Sequence, residues 1–257
     1  MSPKVDLFGI RIDNLTGREA VAAMRELLKD GGRHYVVTPN VDHVVRLQKD
    51  PEFLEAYRGA SLVMPDGMPV VWASRLLGKR LKQRITGTDL IPEVCRLAVE
   101  GGYSVFFLGG NPGVAEKAAE NLKRSHPGLK MAGSYAPPFG FERDPAGNEE
   151  TVRRVNQAGP DVVFIALGAP KQEKWIWRNA GRLQFRLALC IGSGLDYPAG
   201  LARRAPAWMQ RCGLEWLWRV GLEPRRLARR YLIEDTAFLA IFFREWWGGV
   251  KKVILGC

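Results

Sequence analysis

The chain has 257 residues, of which 46% are hydrophobic and 25% are charged, and this composition excludes an intrinsically disordered or fibrous protein. Its length suffices for a sizeable core, in one large α/β domain or in one domain with an appendage. The formal net charge of +11 and the pI near 9.7 predict attraction to a polyanion, which can be nucleic acid, anionic lipid or a phosphorylated substrate.

The positive charge is concentrated towards the C-terminus. Residues 201–257 carry more than half of the net charge and five of the eight tryptophans. The N-terminal stretch lacks the apolar segment of a secretory signal, and no apolar run reaches the ~18–20 residues that span a bilayer. The four cysteines are scattered without a CxxC pair, which is typical of a reducing compartment. We therefore expect a cytoplasmic protein whose membrane contact is peripheral.

The first half of the chain predicts strands and helices in turn. Residues 7–13 predict one first strand, and Thr16 to Glu19 has the form of a capping box that opens a helix ending near Lys29. Apolar runs at residues 34–40 and 61–67 predict two further strands. The expected helices that follow them lie at residues 41–60 with a break near Pro51, at 68–79 and at 89–102.

Predicted strands and helices alternate more clearly in the second half of the chain. Predicted strands lie at residues 104–110, 161–170 and 185–194, and residues 129–141 predict a strand that runs into a Pro-rich loop. Predicted helices lie at residues 111–128, 148–160 and 171–183. Continuous apolar strands that alternate with amphipathic helices predict a parallel sheet covered on both faces. We expect an α/β fold with a Rossmann-like parallel sheet sandwiched by helices over residues 1–200. Residues 201–257 form a basic, Trp-rich stretch that predicts a C-terminal helical appendage for membrane association.

Several standard motifs are absent from the sequence. No strand is followed by GxGxxG, and neither GxxxxGK[ST] nor HExxH occurs. The three histidines are not at ligand spacing, and there is no D-x-D pair. We therefore expect neither a cofactor nor a dedicated metal site.

Polar and glycine residues follow five of the predicted strands. In a parallel sheet these positions meet at the carboxyl edge, where α/β proteins bind nucleotides or sugars. Glycine-rich turns there suit phosphate or ribose, because backbone N–H groups can approach the anion. The residues concerned are Thr38, Asn40, Asp66, Gly109, Gly110, Asn111, Gly168, Gln172, Gly192 and Asp196.

Asp66 lies in the stretch SLVMPDGMPV, where an apolar strand breaks at a Pro-Asp-Gly turn. It is the leading candidate for a general base. The alternative is that Asp66 caps the following helix, since Asp is favoured at that position. Ordinary structural roles are open for the others as well, with Asn40 as a helix cap, the glycines as turn formers and Gln172 as a solvated residue of a first helical turn.

Three arginines of the C-terminal segment fall at helical spacing. Arg226 and Arg229 are one turn apart, and Arg219 lies two turns earlier. Guanidinium groups in this arrangement can hold a diphosphate without a metal through bidentate hydrogen bonds. A basic face that contacts anionic lipid is an alternative, and the two roles are compatible.

An ordered series of blocks resembles one known family. The blocks include HYVVTPNVDHV, SLVMPDGMPVVW, RITGTDL, FFLGGNPGVAEKAA, PDVVFIALGAPKQEKWI and RAPAWMQRCGLEWLWRVGLEPRRLARRYL. Together they resemble the WecG/TagA/CpsF family of glycosyltransferases, glycosyltransferase family 26, over residues 5–235. One departure is Leu195, where Phe is more usual in the family.

The resemblance implies an inverting, metal-independent transfer of N-acetylmannosamine or a related sugar. The donor is a UDP-sugar and the acceptor is polyprenyl-diphosphate-linked N-acetylglucosamine, in teichoic acid or other cell-wall polysaccharide synthesis. It implies that Asp66 takes the proton from the acceptor's 4-hydroxyl. It further implies that Thr38, Asn40, Arg84 and Gln172 line the sugar pocket, and that Arg219, Arg226 and Arg229 close over the diphosphate of UDP.

The implied partners are the UDP-sugar, the lipid-linked acceptor and an anionic membrane surface at the inner face of the cell membrane. No nucleic acid is expected, and a homo-oligomer remains open. The alternatives are a nucleotide-dependent oxidoreductase on a Rossmann-like sheet, which lacks its glycine fingerprint, and a nucleic-acid- or lipid-binding module driven by the basic tail.

Overall fold

The computed structural model describes residues 3–222, 224 and 235–255, without the side chains of Arg211 and of residues 249–255. Its strands are β1 Lys4–Leu7, β2 Ile10–Asp13, β3 His34–Val37, β4 Leu62–Val63, β5 Ser104–Gly109, β6 Lys130–Tyr135, β7 Val162–Ala166 and β8 Leu187–Cys190. Within the described residues, six strands form one parallel sheet in the order β4-β3-β8-β7-β5-β6. The predicted parallel sheet is confirmed.

Helices alternate with these strands as the sequence predicts. They are α1 Gly17–Lys29, α2 Val41–Leu47, α3 Pro51–Arg58, α4 Met68–Leu76, α5 Gly87–Gly101, α6 Val114–Ser125, α7 Pro145–Ala158, α8 Lys171–Asn179, α9 Ala207–Arg211, α10 Glu215–Leu222 and α11 Ala237–Leu255. The capping box at the start of α1 is formed, with Thr16 and Glu19 bonded to each other's backbone N–H groups. A further short 3₁₀ turn, Gly192–Asp196, follows β8.

The sheet separates two hydrophobic clusters. Successive residues of a strand point to opposite faces, so Val36 and Phe164 pack on one side and Val37 and Ile165 on the other. Helices α1, α5 and α6 cover the first side, and α2, α3, α7 and α8 cover the second. Both faces are therefore buried, which explains why the strands read as continuous apolar runs.

The first predicted strand is wrong in one respect. Residues 7–13 do not form a single strand, because β1 and β2 pair antiparallel as a hairpin with its turn at Phe8 and Gly9. Both turn residues have positive φ, +56° at Phe8 and +84° at Gly9, which suits a two-residue hairpin turn. The large side chain at Phe8 hides this turn from a pattern that expects Asn or Gly there.

Helix α11 packs against this hairpin and against α2. Phe8 is 1% exposed, and its ring meets that of Phe238 edge to face with centroids 5.2 Å apart. Phe238 and Ile241 are buried in the same core cluster. The Glu245 carboxylate accepts a hydrogen bond from the backbone N–H of Phe8 at 3.2 Å and pairs with Lys79 at 2.7 Å. The C-terminal helix is therefore joined to the α/β core by both apolar and ionic contacts.

We expect Phe8→Ala to lower the free energy of unfolding by about 3–5 kcal/mol, because it leaves a cavity under α11. Phe243→Ala on the same helix is the matched control, since that ring is 56% exposed, and its effect should stay within about 0.5 kcal/mol. Urea denaturation of both variants measures the difference. Equal effects at the two positions would contradict the packing of α11 on the hairpin.

The described residues from 201 onwards include α9, α10 and α11, with non-helical stretches at residues 201–206, 212–214 and 235–236, and they contain no strand. The helical character predicted for this segment is confirmed. The division of the chain at residue 200 into two domains stays a prediction. Among the described helices, none is both long enough and apolar enough to cross a bilayer.

Candidate active site

A cleft of about 350 Å³ opens beside the carboxyl end of β4, where the C-terminal helices meet the sheet. Four of the predicted site residues line it, namely Asn40, Asp66, Arg84 and Arg219. They come from the ends of β3 and β4, from the link before α5, and from α10. The remaining lining residues include Asp42, Gly67, Met68, Thr86, Thr88, Gln210, Gly213, Glu215, Trp216 and Asp235.

Asp66 is delivered to this cleft by backbone pairing that continues beyond β4. The N–H of Met64 donates to Val37 and that of Asp66 donates to Pro39, at 3.0 and 2.9 Å. The carbonyl of Pro65 accepts a hydrogen bond from the N–H of Ile85. The alternative that Asp66 caps α4 is wrong, because Gly67 occupies the N-cap position and no side chain caps that helix.

The electrostatic surroundings of Asp66 suit a base that works near neutral pH. Desolvation by the surrounding protein raises the pKa of Asp66 to about 7, while the nearby Arg84 and Arg219 pull the pKa down. Glu215 and Asp89 add to the rise. No residue of the described ranges donates a hydrogen bond to the Asp66 carboxyl, so a substrate hydroxyl in the cleft can reach it.

Arg84 belongs to an ion network that joins the C-terminal segment to the core. Its Nη1 donates to Glu215 Oε2 at 2.7 Å, and its Nη2 lies 3.8 Å from Asp89 Oδ2. Arg204 pairs with the same two carboxylates, at 2.8 Å to Asp89 and 3.4 Å to Glu215. The Arg84 side chain is 15% exposed. Its guanidinium is therefore fixed at the cleft wall.

Arg219 connects α10 to the turn after β8. It donates to the Tyr197 hydroxyl from Nε and Nη2, at 3.2 and 3.1 Å, and approaches the Ser193 hydroxyl at 3.4 Å. The close approach of this segment to α4 needs a glycine at residue 213, because a Cβ there would lie 2.5 Å from the Trp72 ring. Arg226 and Arg229, the other two arginines of the predicted trio, lie outside the described residues.

Asn40 both caps a helix and lines the cleft. Its side-chain oxygen accepts a hydrogen bond from the N–H of His43, so the capping interpretation is confirmed. Thr38 is 6% exposed and does not line the cleft. Its role in a sugar pocket stays a prediction.

Gln172 is buried and not a solvated residue, so the ordinary interpretation of this position is wrong. Its amide nitrogen donates to Glu173 Oε1 at 2.8 Å, and its oxygen accepts from the N–H of Gly192 at 3.0 Å. Gln172 thus holds the turn after β8 through its hydrogen bond with Gly192. Burial raises the pKa of Glu173 to about 7.

Six predicted UDP-binding residues lie at strand ends but do not line this cleft, namely Gly109, Gly110, Asn111, Gly168, Gly192 and Asp196. Gly109 has a packing reason for its identity, because a Cβ there would lie 2.6 Å from the carbonyl oxygen of Ala166 in β7. Arg219 contacts the turn that holds Gly192 and Asp196. A role of the six in binding UDP stays a prediction.

Sequence reasoning missed Glu215, Trp216 and the threonines Thr86 and Thr88. The threonines belong to the RITGTDL block, which drew attention only to Arg84. Glu215 carried no signal of its own, since a glutamate at the first residue of a helix is common. Within the described ranges, no group of three His, Cys, Asp or Glu side chains could hold a metal ion.

Comparison with known proteins identifies the family. The model of the glycosyl transferase WecG/TagA/CpsF family matches residues 5–252, nearly the whole chain. The chain belongs to this family. It is therefore a glycosyltransferase, and the resemblance seen in the sequence blocks is confirmed. The match favours sugar transfer over the oxidoreductase alternative.

Relatives of this WecG/TagA/CpsF family member include proteins of Staphylococcus aureus strains MRSA252, NCTC 8325 and COL. Each is named N-acetylglucosaminyldiphosphoundecaprenol N-acetyl-beta-D-mannosaminyltransferase. Each is 29% identical over 228 residues, which cover 88% of this chain and 87% of the relative. The aligned part thus takes in most of both proteins.

Proposed function

We propose that this glycosyltransferase moves N-acetylmannosamine, or a related sugar, from a UDP donor to polyprenyl-diphosphate-linked N-acetylglucosamine, with inversion. The observation that carries the proposal is the placement of one carboxylate, Asp66, beside two guanidinium groups in a cleft of a WecG/TagA/CpsF family member. The names of the S. aureus relatives supply the acceptor and the transferred sugar.

In the proposed reaction, the acceptor hydroxyl attacks the anomeric carbon of the donor as the bond to UDP breaks. Asp66 takes the hydroxyl proton, and UDP leaves with the bonding electron pair. General base catalysis of this kind contributes about 10²–10⁴-fold to a rate. Arg219 stabilises the negative charge that develops on the departing diphosphate. Arg84, which the family resemblance places among the residues that line the sugar pocket, adds positive charge to the same cleft. Neither role needs a metal ion.

A membrane surface is part of the proposal because the acceptor is lipid-linked. Helix α11 buries Phe238 and Ile241 and exposes a second apolar face. Aromatic side chains on an exposed helix face suit the headgroup region, and basic residues nearby favour anionic lipid. The exposed apolar residues of α11 are Leu239, Phe243, Trp246 and Trp247. This exposed face supports peripheral contact with a membrane surface, and we propose that the surface is the inner face of the cell membrane.

The test is UDP release by the purified chain, given UDP-N-acetylmannosamine and a short-chain polyprenyl-diphosphate N-acetylglucosamine. We expect release that depends on the acceptor and is unchanged by EDTA. UDP-N-acetylglucosamine and UDP-N-acetylmannosaminuronic acid serve as competing donors, and the fastest of the three defines the sugar. Strong inhibition by EDTA would contradict the proposal that the transfer needs no metal ion. No acceptor-dependent release from any of the three donors would contradict the proposal itself.

The rate should fall as the pH drops through the pKa of Asp66. That pKa is raised to about 7, so Asp66 is protonated below this pH and cannot accept a proton. We expect kcat/KM to decline about tenfold per pH unit on the acid side and to level off above about pH 8. Initial rates between about pH 5.5 and 9 at constant ionic strength measure the profile. A rate that stays constant down to about pH 5.5, as an ordinary carboxyl with a pKa near 4 would give, would contradict the environment described for Asp66.

A further inference from the structure

Glu215 pairs with two arginines at the wall of the cleft. It is the first residue of α10, and its side chain is 18% exposed. Its two carboxylate oxygens face two different guanidinium groups, with Oε2 at 2.7 Å from Arg84 and Oε1 at 3.4 Å from Arg204. The same residue lines the cleft that contains Asp66. One carboxylate thus links the C-terminal segment to the cleft.

The strongest bond of Arg84 in this network is the one to Glu215. The distance from Arg84 to its other carboxylate partner, Asp89, is 3.8 Å, and Asp89 is held more closely by Arg204 at 2.8 Å. Removing one partner of a partly buried network leaves the remaining charges uncompensated. Without the Glu215 charge, the Arg84 guanidinium is therefore drawn to another carboxylate of the cleft.

Asp66 is the carboxylate at which this change matters. Arg84 and Arg219 lower the pKa of Asp66, and Glu215 and Asp89 raise it. An Arg84 guanidinium released towards Asp66 would pair with its carboxylate, which weakens the base, and would leave its own position at the cleft wall. The other charged groups lining the cleft are Asp42, which pairs with Arg46 at 2.8 Å, and Asp235.

We propose that Glu215 is a positioning residue, which holds Arg84 away from Asp66 and at the cleft wall whenever α10 is docked. Asp66 and Arg84 are then correctly arranged only when the C-terminal segment is in place. The inference rests on the proposed function, because it assigns Glu215 a task in the same reaction. It makes α10 a part of the active site through one carboxylate.

The test compares Glu215→Gln with Glu245→Gln. Glu245 is the matched control, since it also ties a C-terminal helix to the core through an ion pair of 2.7 Å, with a similarly buried side chain, but does not line the cleft. For Glu215→Gln we expect kcat/KM to fall about 10–100-fold, as for a displaced catalytic group, and the acid limb of its pH profile to move to lower pH. Glu245→Gln should leave the limb where it is. Glu215→Asp, which keeps the charge, should restore the limb and part of the rate.

Two results would overturn the proposal. One is an unchanged rate and profile in Glu215→Gln, and the other is a lower rate with an unmoved limb and no recovery in Glu215→Asp, which indicates a merely structural role. A ¹³C NMR titration of Asp66, with its signal assigned by comparison with Asp66→Asn, measures the same shift without turnover. If the wild-type chain transfers no sugar, the proposed function fails, and the titration decides the positioning role by itself when it is repeated in the Arg84→Gln background. A Glu215→Gln shift of the Asp66 titration that shrinks without Arg84 supports the proposal, and one of full size comes from the Glu215 charge alone and overturns it.

Discussion

Asp66→Asn is expected to lower kcat about 10²–10⁴-fold, the range that a positioned general base contributes. Asn has the size of Asp but cannot accept a proton at neutral pH, so the reaction loses its base and keeps the shape of the cleft. We expect KM to change little, because the side-chain oxygen of Asn can still accept a hydrogen bond from the acceptor hydroxyl. Steady-state rates of UDP release at about pH 8, where Asp66 is ionised, measure the effect.

The control for this variant is Asp6→Asn, which changes a carboxylate whose side chain is 84% exposed, outside the cleft. It should retain the wild-type rate. Thermal unfolding of both variants checks that the fold is intact. Substantial turnover by Asp66→Asn, within about threefold of wild type, would show that another group accepts the proton.

Removal of the chain from Leu201 onwards is expected to lower transfer about a thousandfold or more while leaving a folded sheet. The lost segment contributes one wall of the cleft, including an arginine that faces the proposed diphosphate site, and such groups are each worth about 10²–10³ in rate. The cleft residues lost are Gln210, Gly213, Glu215, Trp216, Arg219, Asp235, Thr236, Phe238 and Leu239. UDP release and far-UV circular dichroism together separate loss of activity from loss of fold.

The truncated chain also exposes Phe8, because Phe238 and α11 no longer cover it. A lower unfolding temperature is therefore expected and does not by itself explain a loss of activity. Arg219→Gln in the full chain is the companion variant, and it should lose about 10²-fold in kcat with little change in stability. Wild-type turnover by the truncated chain would show that the C-terminal helices are dispensable.

The order of the elements could be predicted from the sequence because the parallel strands are buried on both faces. Runs such as those around Val36 and Phe164 are long enough to stand out, and capping signals such as Thr16 mark where helices begin. The prediction of a single first strand was wrong because the hairpin turn places Phe8 where it packs under α11. That contact joins residues more than two hundred positions apart, and no local pattern contains it.

The candidate site was predictable at the strand ends and much less so in the C-terminal segment. Asn40 and Asp66 follow strands directly, so the topology of a parallel sheet places them at one edge. Arg84 was predicted only from the family resemblance. Glu215 was predicted neither from its position after a strand nor from the resemblance. Its importance arises from the fold, which brings α10 to the link before α5 and so places a glutamate against two arginines.

The structure of the reaction product tests the account most directly. The experiment supplies UDP-N-acetylmannosamine and a short-chain polyprenyl-diphosphate N-acetylglucosamine. Mass spectrometry determines the mass of the product, and the one-bond C1–H1 coupling in NMR determines its anomeric configuration. Direct displacement with Asp66 as the base predicts one added N-acetylhexosamine in the β configuration, inverted from the α-linked donor. An α-linked product would contradict a single displacement, and an acceptor left unmodified by the wild-type chain would contradict the proposed transfer.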